Sequence, residues 1–319
     1  MADNLLKNMV RNRLKAYLLV ATAIVVGWLL LYRRNETPAA EGMLVFAVGT
    51  RLPEGTFAGI RHRVQIGTGK GIWSHPLGNP LQRAEQLEAC SQQPWCANTD
   101  IPNYVVFGCG QSGYLYDARR KQRFQLQIPD KEKLIALSTK ESFAIFAAEG
   151  KMLVRKYQIT KNNLHWLDKR FIPDTPSPDA IYFCPNGNAI LVESGGWTYL
   201  LPALGQGAVK VFQARAIGWM PDGVRCVIYN RTQHTLLLYD MWRDRISVLN
   251  VSRSLGSHET PIALSPTGRF ILTIRTRFDY RRLLPEVKSL CVRGIADPQQ
   301  EHCIDAGWTL NGVCWLSSE

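Results

Sequence analysis

Five stretches of this 319-residue chain can be laid over one another, and that repeat limits the possible folds more than any other feature. They read LIALSTKESFAIF from Leu134, AIYFCPNGNAILV from Ala180, AIGWMPDGVRCVIY from Ala216, PIALSPTGRFILTI from Pro261 and GVCWLSSE from Gly312. Each is a short apolar strand followed by a polar turn, and all but the last continue into a second apolar strand. Their starts are 46, 36, 45 and 51 residues apart. The turns Cys184-Pro-Asn-Gly187, Met220-Pro-Asp-Gly223 and Ser265-Pro-Thr-Gly268 share one chemistry. Proline presets φ, and the glycine accepts the positive φ that closes a tight turn.

A period of about 40–50 residues with four short strands is that of a β-propeller blade. Thr235–Tyr239 and Arg245–Val251 supply the outer strands of one unit, and Lys288–Val292 and Glu301–Asp305 those of another. A less regular unit runs from about Trp95 through Tyr104–Cys109, Gly113–Tyr116 and Phe124–Ile128. Met43–Val48 has no inner strand before it, and the last copy stops after one strand. Pairing these two ends completes a mixed blade and closes a ring. The expected fold is therefore all-β, a propeller of about six four-stranded blades, with five or seven as the neighbouring counts. Helical periodicity is nearly absent after residue 40, Pro80–Cys90 (PLQRAEQLEAC) being the stretch that could form a short helix. The S-P-x-G units resemble the blades of TolB-like and WD40-like propellers over roughly residues 93–319. That resemblance implies a fold and no activity. The chain departs from TolB in having no α/β domain ahead of the repeat, and from true WD40 blades in lacking the Trp-Asp and Gly-His pairs, so no functional residue carries over.

Ala16–Tyr32 is a run of seventeen residues without a charge, about 25 Å long as a helix. Tyr17, Trp28 and Tyr32 suit the membrane interface, and Lys15, Arg33 and Arg34 can extend their charges to the headgroups. Arg33 and Arg34 stand where a signal peptide would carry a small-residue cleavage site, so the expectation is an uncleaved single-pass anchor. The expected layout is a cytoplasmic tail over 1–15, an anchor over 16–32, a linker over 33–42 and the propeller over 43–319. Lys7, Arg11, Arg13 and Lys15 precede the run, which places the N-terminus in the cytoplasm and the main domain in the periplasm or outside the cell. The chain carries 38 Lys and Arg against 26 Asp and Glu. Removing residues 1–34 leaves 32 against 25, too mild an excess for a dedicated nucleic-acid binder.

Eight cysteines in an exported domain permit disulfides. Cys90 and Cys96 bracket a short loop, and Cys291 and Cys303 flank a turn near Asp297-Pro298, so these are the expected pairs. Cys109, Cys226 and Cys314 lie in apolar strand runs and read as small core residues. None of the six histidines is two, three or four residues from another. No metal or cofactor is assigned, although propellers can gather ligands from separate blades. Gly67-Thr-Gly-Lys-Gly71 lacks the phosphate-loop spacing, and Glu193-Ser-Gly-Gly196 lacks the first glycine of a nucleophile elbow; both read as turns. No catalytic residue is assigned. Phe278, Tyr280, Arg281 and Arg282 sit on an extended connection whose composition suits a protein-binding loop, and Trp73 and Trp95 mark a second unusual stretch over 58–100. The expected role is a non-catalytic protein-binding or scaffold module with a partner in the envelope, including an inhibitor or immunity-type binder. The alternative is a hydrolase or lyase with its site in the central channel.

Overall fold

A computed structural model of the chain describes residues 42–48, 64–65, 71–77, 84–201, 210–249, 251, 255, 258–279, 284–297, 301–307 and 310–317. The strands in chain order are β1 (Met43–Val48), β2 (Val64–Gln65), β3 (Gly71–Pro76) and β4 (Glu85–Ala89), then β5 (Pro94–Thr99), β6 (Tyr104–Cys109), β7 (Ser112–Asp117) and β8 (Gln122–Gln127). A second meander holds β9 (Lys133–Ser138), β10 (Phe143–Ala148), β11 (Lys151–Thr160) and β12 (Asn163–Pro176), and a third β13 (Ala180–Phe183), β14 (Ile190–Ser194), β15 (Trp197–Leu201) and β16 (Lys210–Phe212). Then follow β17 (Arg215–Trp219), β18 (Arg225–Asn230), β19 (Thr235–Asp240) and β20 (Arg245–Val248). The series ends with β21 (Glu259–Leu264), β22 (Phe270–Asp279), β23 (Leu284–Gly294), β24 (Glu301–Gly307) and β25 (Leu310–Leu316). Among the described residues no helix is long and apolar enough to cross a membrane, and the anchor expected over 16–32 lies outside them.

The arrangement is all-β and propeller-like. Four separate sheets have the orders β25-β1-β3-β4, β13-β14-β15-β16, β17-β18-β19-β20 and β2-β24-β23-β22-β21. The other eight strands, β5 to β12, are two antiparallel meanders joined by parallel pairs at Asn98↔Ala136, Thr99↔Leu137 and Asn163↔Gln125. β1 pairs antiparallel with β25 from Met43↔Leu316 to Val48↔Leu310, so the first and last described strands share a sheet. Glu85–Ala89, inside the stretch that could have been helical, is an outer strand paired with β3. Its weak helix preference yields to the sheet edge that β3 offers.

Why the inner strands read as unbroken apolar runs follows from the packing. On β18, Cys226 and Ile228 enter a cluster with Leu191 and Leu200 of the preceding sheet. Val227 and Tyr229 enter another with Leu264 and Ile271 of the following one. Alternate side chains thus serve opposite faces, and both faces are covered. The same sharing continues around the molecule. Leu44, Phe46 and Trp73 meet Leu272, Leu290 and Val292 on one side, while Val45 and Ile72 meet Val105 and Phe107 on the other. The succession of sheets therefore closes on itself.

The repeated turns have the geometry their residues call for. Gly187, Gly223 and Gly268 have φ of +78°, +64° and +69°. Their amides donate to the carbonyls of Cys184, Met220 and Ser265 at 2.9, 3.0 and 2.9 Å. Successive turns also nest, because Asn186 Nδ2 donates to the Gly223 carbonyl at 3.0 Å. A Cβ on Gly223 would stand 2.9 Å from Asn186 Nδ2, whereas one on Gly187 would meet nothing within 4 Å. Gly187→Ala is expected to cost only the left-handed penalty, about 1–2 kcal/mol. Gly223→Ala adds the displaced Asn186 bond, for about 2–3 kcal/mol in all. Urea unfolding of both variants separates the two contributions, and equal losses would show that the nested turn carries no stability.

Candidate functional site

Strands β5, β9, β13, β17, β21 and β25 line a central cavity of about 1080 Å³. Its wall is apolar where Ala97, Ile135, Ile217, Ala263 and Val313 face it. The nested turns contribute Pro185, Pro221 and Pro266 to the lining. Several of the charged groups there have partners in the fold. Asp100 accepts from Ser138 Oγ at 2.5 Å, from the Thr139 amide and hydroxyl at 2.7 and 2.9 Å, and from the Lys140 amide at 3.1 Å. Lys140 Nζ donates to the Pro185 carbonyl at 3.2 Å, and Asp179 accepts from the Gly195 amide at 2.8 Å. Arg155 donates to Glu132 through Nε and Nη2 at 2.8 and 2.5 Å. These contacts tie neighbouring strands and turns to one another, so they are accounted for by the scaffold.

Arg215 comes closest to a poised charge at the cavity. Its Nε lies 3.3 Å from Glu193, and Arg231 lies 3.8 Å from the same carboxylate. Burial pushes Glu193 above the usual carboxylate range while the two guanidinium groups pull the other way. Tyr182 lines the cavity with its phenol pushed up by burial, and its carbonyl accepts from Trp219 Nε1 at 2.9 Å. Cys96 and Cys314 are free thiols on the adjacent strands β5 and β25. Their mutual hydrogen bond and then burial hold the Cys314 thiol well above its ordinary value, which makes it a poor nucleophile.

The disulfides correct one pairing read from the sequence. Cys291 and Cys303 are directly opposite across β23 and β24 and are joined, with Cα atoms 4.0 Å apart. Cys90 is joined to Cys109, Cα to Cα 5.5 Å, and not to Cys96. Cys109 ends β6 opposite Pro94, close to the turn that Cys90 opens. Cys96 lies farther along β5, packed in the cluster that holds Cys314. Cys109 is thus a cross-link and not merely a core residue. Cys291, Cys303 and Glu301 have ligand atoms within 4.8 Å of one another. Both sulfurs are spent in the disulfide, and Glu301 pairs with Arg275 and Arg293, so the trio does not offer thiolates to a metal.

Of the tryptophans singled out as binding candidates, Trp73 is packed in the core, whereas Trp95 is half-buried and lines the cavity. Trp73 is 6% exposed inside the cluster between β1–β3 and β22–β24. Trp95 lies against the paired glycines Gly108 and Gly113, where an added Cβ would stand 2.6 and 2.8 Å from the indole. Its Nε1 donates to the Gly110 carbonyl at 2.7 Å. Phe278 belongs to β22 by its backbone, in a hairpin with β23 that is paired as far as Asp279↔Leu284. Tyr280, Arg281 and Arg282 lie outside the described residues.

A different surface presents apolar side chains to solvent. Ile159, Leu167 and Phe171 on β11 and β12, Trp197 and Val211 on β15 and β16, and Trp242, Ile246 and Val248 at and on β20 are all exposed. They lie on the outer strands of three consecutive meanders, and Trp242 is 84% exposed. No local pattern marks these positions, since apolar outer strands read the same whether covered or bare.

No family model matches the sequence, and no curated protein matches it. Solved structures share its fold at low identity. The nidogen/laminin complex is similar over 87% of this chain and 99% of that one, at 11% identity and a TM-score of 0.54. A putative TolB from Agrobacterium tumefaciens is similar over 83% and 88%, at 7% identity and a TM-score of 0.48. The β-propeller domain of Cps50 (Swd1) from Myceliophteria thermophila is similar over 72% and 78%, at 11% identity and a TM-score of 0.45. At these identities the likeness is one of architecture alone.

Proposed function

We propose that the chain is a membrane-anchored, extracytoplasmic propeller that binds a protein partner in the envelope without chemistry of its own. The eight strands β5 to β12 count as two blades in this reading, for a ring of six. The observation that carries the binding role is the arc of exposed apolar side chains on the outer strands of three consecutive meanders, ending at Trp242. A tryptophan as bare as Trp242 beside Arg243 has the composition of an interface hot spot. Arg243 and Arg245 flank Trp242 and Ile246, which favours a partner with an acidic rim. Supporting the anchor is the uncharged run Ala16–Tyr32, and supporting the orientation are the four bases ahead of it.

The test places a photo-crosslinking residue at position 244, between Trp242 and Ile246, in the full chain in its native membrane. One stoichiometric protein adduct is expected. Trp242→Ser/Ile246→Ser/Val248→Ser should abolish it while leaving the thermal midpoint within a degree or two, because exposed sites contribute little to stability. An adduct that persists in the triple variant, or none in either protein, would overturn the reading.

A further inference from the structure

His75 and His302 are 227 positions apart in the chain, 302 less 75, and come together where the first and last sheets meet. His75 on β3 stands opposite Leu44, and His302 on β24 stands opposite Val292. Leu44 and Val292 both belong to the cluster between those sheets, so the two imidazoles project into the same interface. Their ring centres are 6.1 Å apart with planes inclined by 11°.

The polar accounting at this point does not close. His75 is 0% exposed, and among the described residues neither Nδ1 nor Nε2 has a hydrogen-bond partner. Nε2 of His302 is buried and has none among them either. A neutral imidazole carries one donor and one acceptor, and buried groups of this kind almost always find partners. Three orphaned ring nitrogens from two neighbouring imidazoles call for a shared ligand.

We propose that His75 and His302 are the protein ligands of a site for one borderline divalent transition-metal ion of the zinc, nickel and copper class. Imidazole nitrogen suits that class, whereas calcium and magnesium require oxygen donors. With metal–nitrogen bonds of about 2.0–2.1 Å, two imidazole centres bound to one ion lie roughly 5–6.5 Å apart, and the observed 6.1 Å falls within that interval. The χ2 wells of histidine are broad, so the rings can turn toward a common ion without a backbone movement. His302 is partly exposed, which gives the ion an approach and leaves room for water as further ligand. The site would clip the first sheet to the last, at the seam that closes the ring.

The experiment uses the purified full chain, stripped with a chelator and titrated with Zn²⁺, Ni²⁺ and Cu²⁺, with Ca²⁺ and Mg²⁺ as comparisons. One transition-metal ion per chain is expected, with no response to Ca²⁺ or Mg²⁺. His302→Gln should weaken affinity by at least the 10–100-fold that loss of outer-shell support alone costs. The Cu²⁺ electron paramagnetic resonance spectrum should show coupling to two imidazole nitrogens, falling to one in that variant. His75→Leu should abolish binding, and if it fails to fold, His302→Gln decides alone. Unchanged affinity and an unchanged spectrum in His302→Gln would assign binding to the other histidines and overturn the proposal. No transition-metal binding to the wild type would also overturn it, leaving trapped water as the partner of the three nitrogens.

Discussion

Glu259→Ala is expected to cost about 3–5 kcal/mol of stability, the loss typical of breaking a buried ion pair by removing one partner. The Glu259 side chain is 4% exposed at the start of β21 and faces two guanidinium groups. Arg293 Nη2 donates to both of its carboxylate oxygens at 3.2 and 3.0 Å, and Arg275 donates to it as well. Glu301 on β24 also accepts from Arg275 and Arg293, so the network spans the four strands β21 to β24. Alanine at 259 leaves two largely buried cations to share Glu301, which is itself more exposed. Equilibrium unfolding in urea measures the cost. Adding Arg293→Met should recover at least 1 kcal/mol of it, because groups within one network do not contribute additively. A loss below 1 kcal/mol for Glu259→Ala would mean that water already screens the cluster.

Features decided by a few adjacent residues were legible in the sequence. The Pro-x-Gly turns declare their own φ values, and Gly187, Gly223 and Gly268 adopt them. Cys291 and Cys303 flank one hairpin turn, so their opposition depends only on register. Features that depend on which sheet lies beside which were not legible. Cys90 finds Cys109 because the turn after β4 returns beside the end of β6, while nearness in sequence favoured Cys96. Glu85–Ala89 has helix-forming residues, yet the open edge of β3 makes it a strand. Trp73 and Trp95 stood out by composition alone, and composition does not distinguish a buried indole such as Trp73 from a half-buried or a bare one. The bare one, Trp242, sits in a turn that looked like any other blade connection. His75 and His302 share no local motif, and only ring closure brings them together.

Acidification offers a direct reading of that histidine pair. The pKa of His75 is lowered from 6.5 to about 4, first by burial and then by the neighbouring His302. Between those two values the unfolded chain binds a proton at this position and the folded chain does not. Stability from this group is therefore fully present above about pH 6.5 and falls as the pH drops toward 4. The gap corresponds to about 3 kcal/mol at most, and water near the partly exposed His302 reduces the expected loss to about 2–3 kcal/mol. His302, also lowered by burial, acts in the same direction below its ordinary pKa. Glu193 is raised by burial and works the opposite way, gaining stability as it takes up a proton on acidification. A comparison with His75→Leu cancels that contribution, since Glu193 is present in both proteins. Urea unfolding of the chelator-treated proteins at pH 7 and pH 4.5 should show wild-type stability falling by about 2 kcal/mol more than that of His75→Leu. Equal pH dependence in the two proteins would mean that His75 reaches a proton acceptor when folded, and the unpartnered state of its nitrogens would fall with that result.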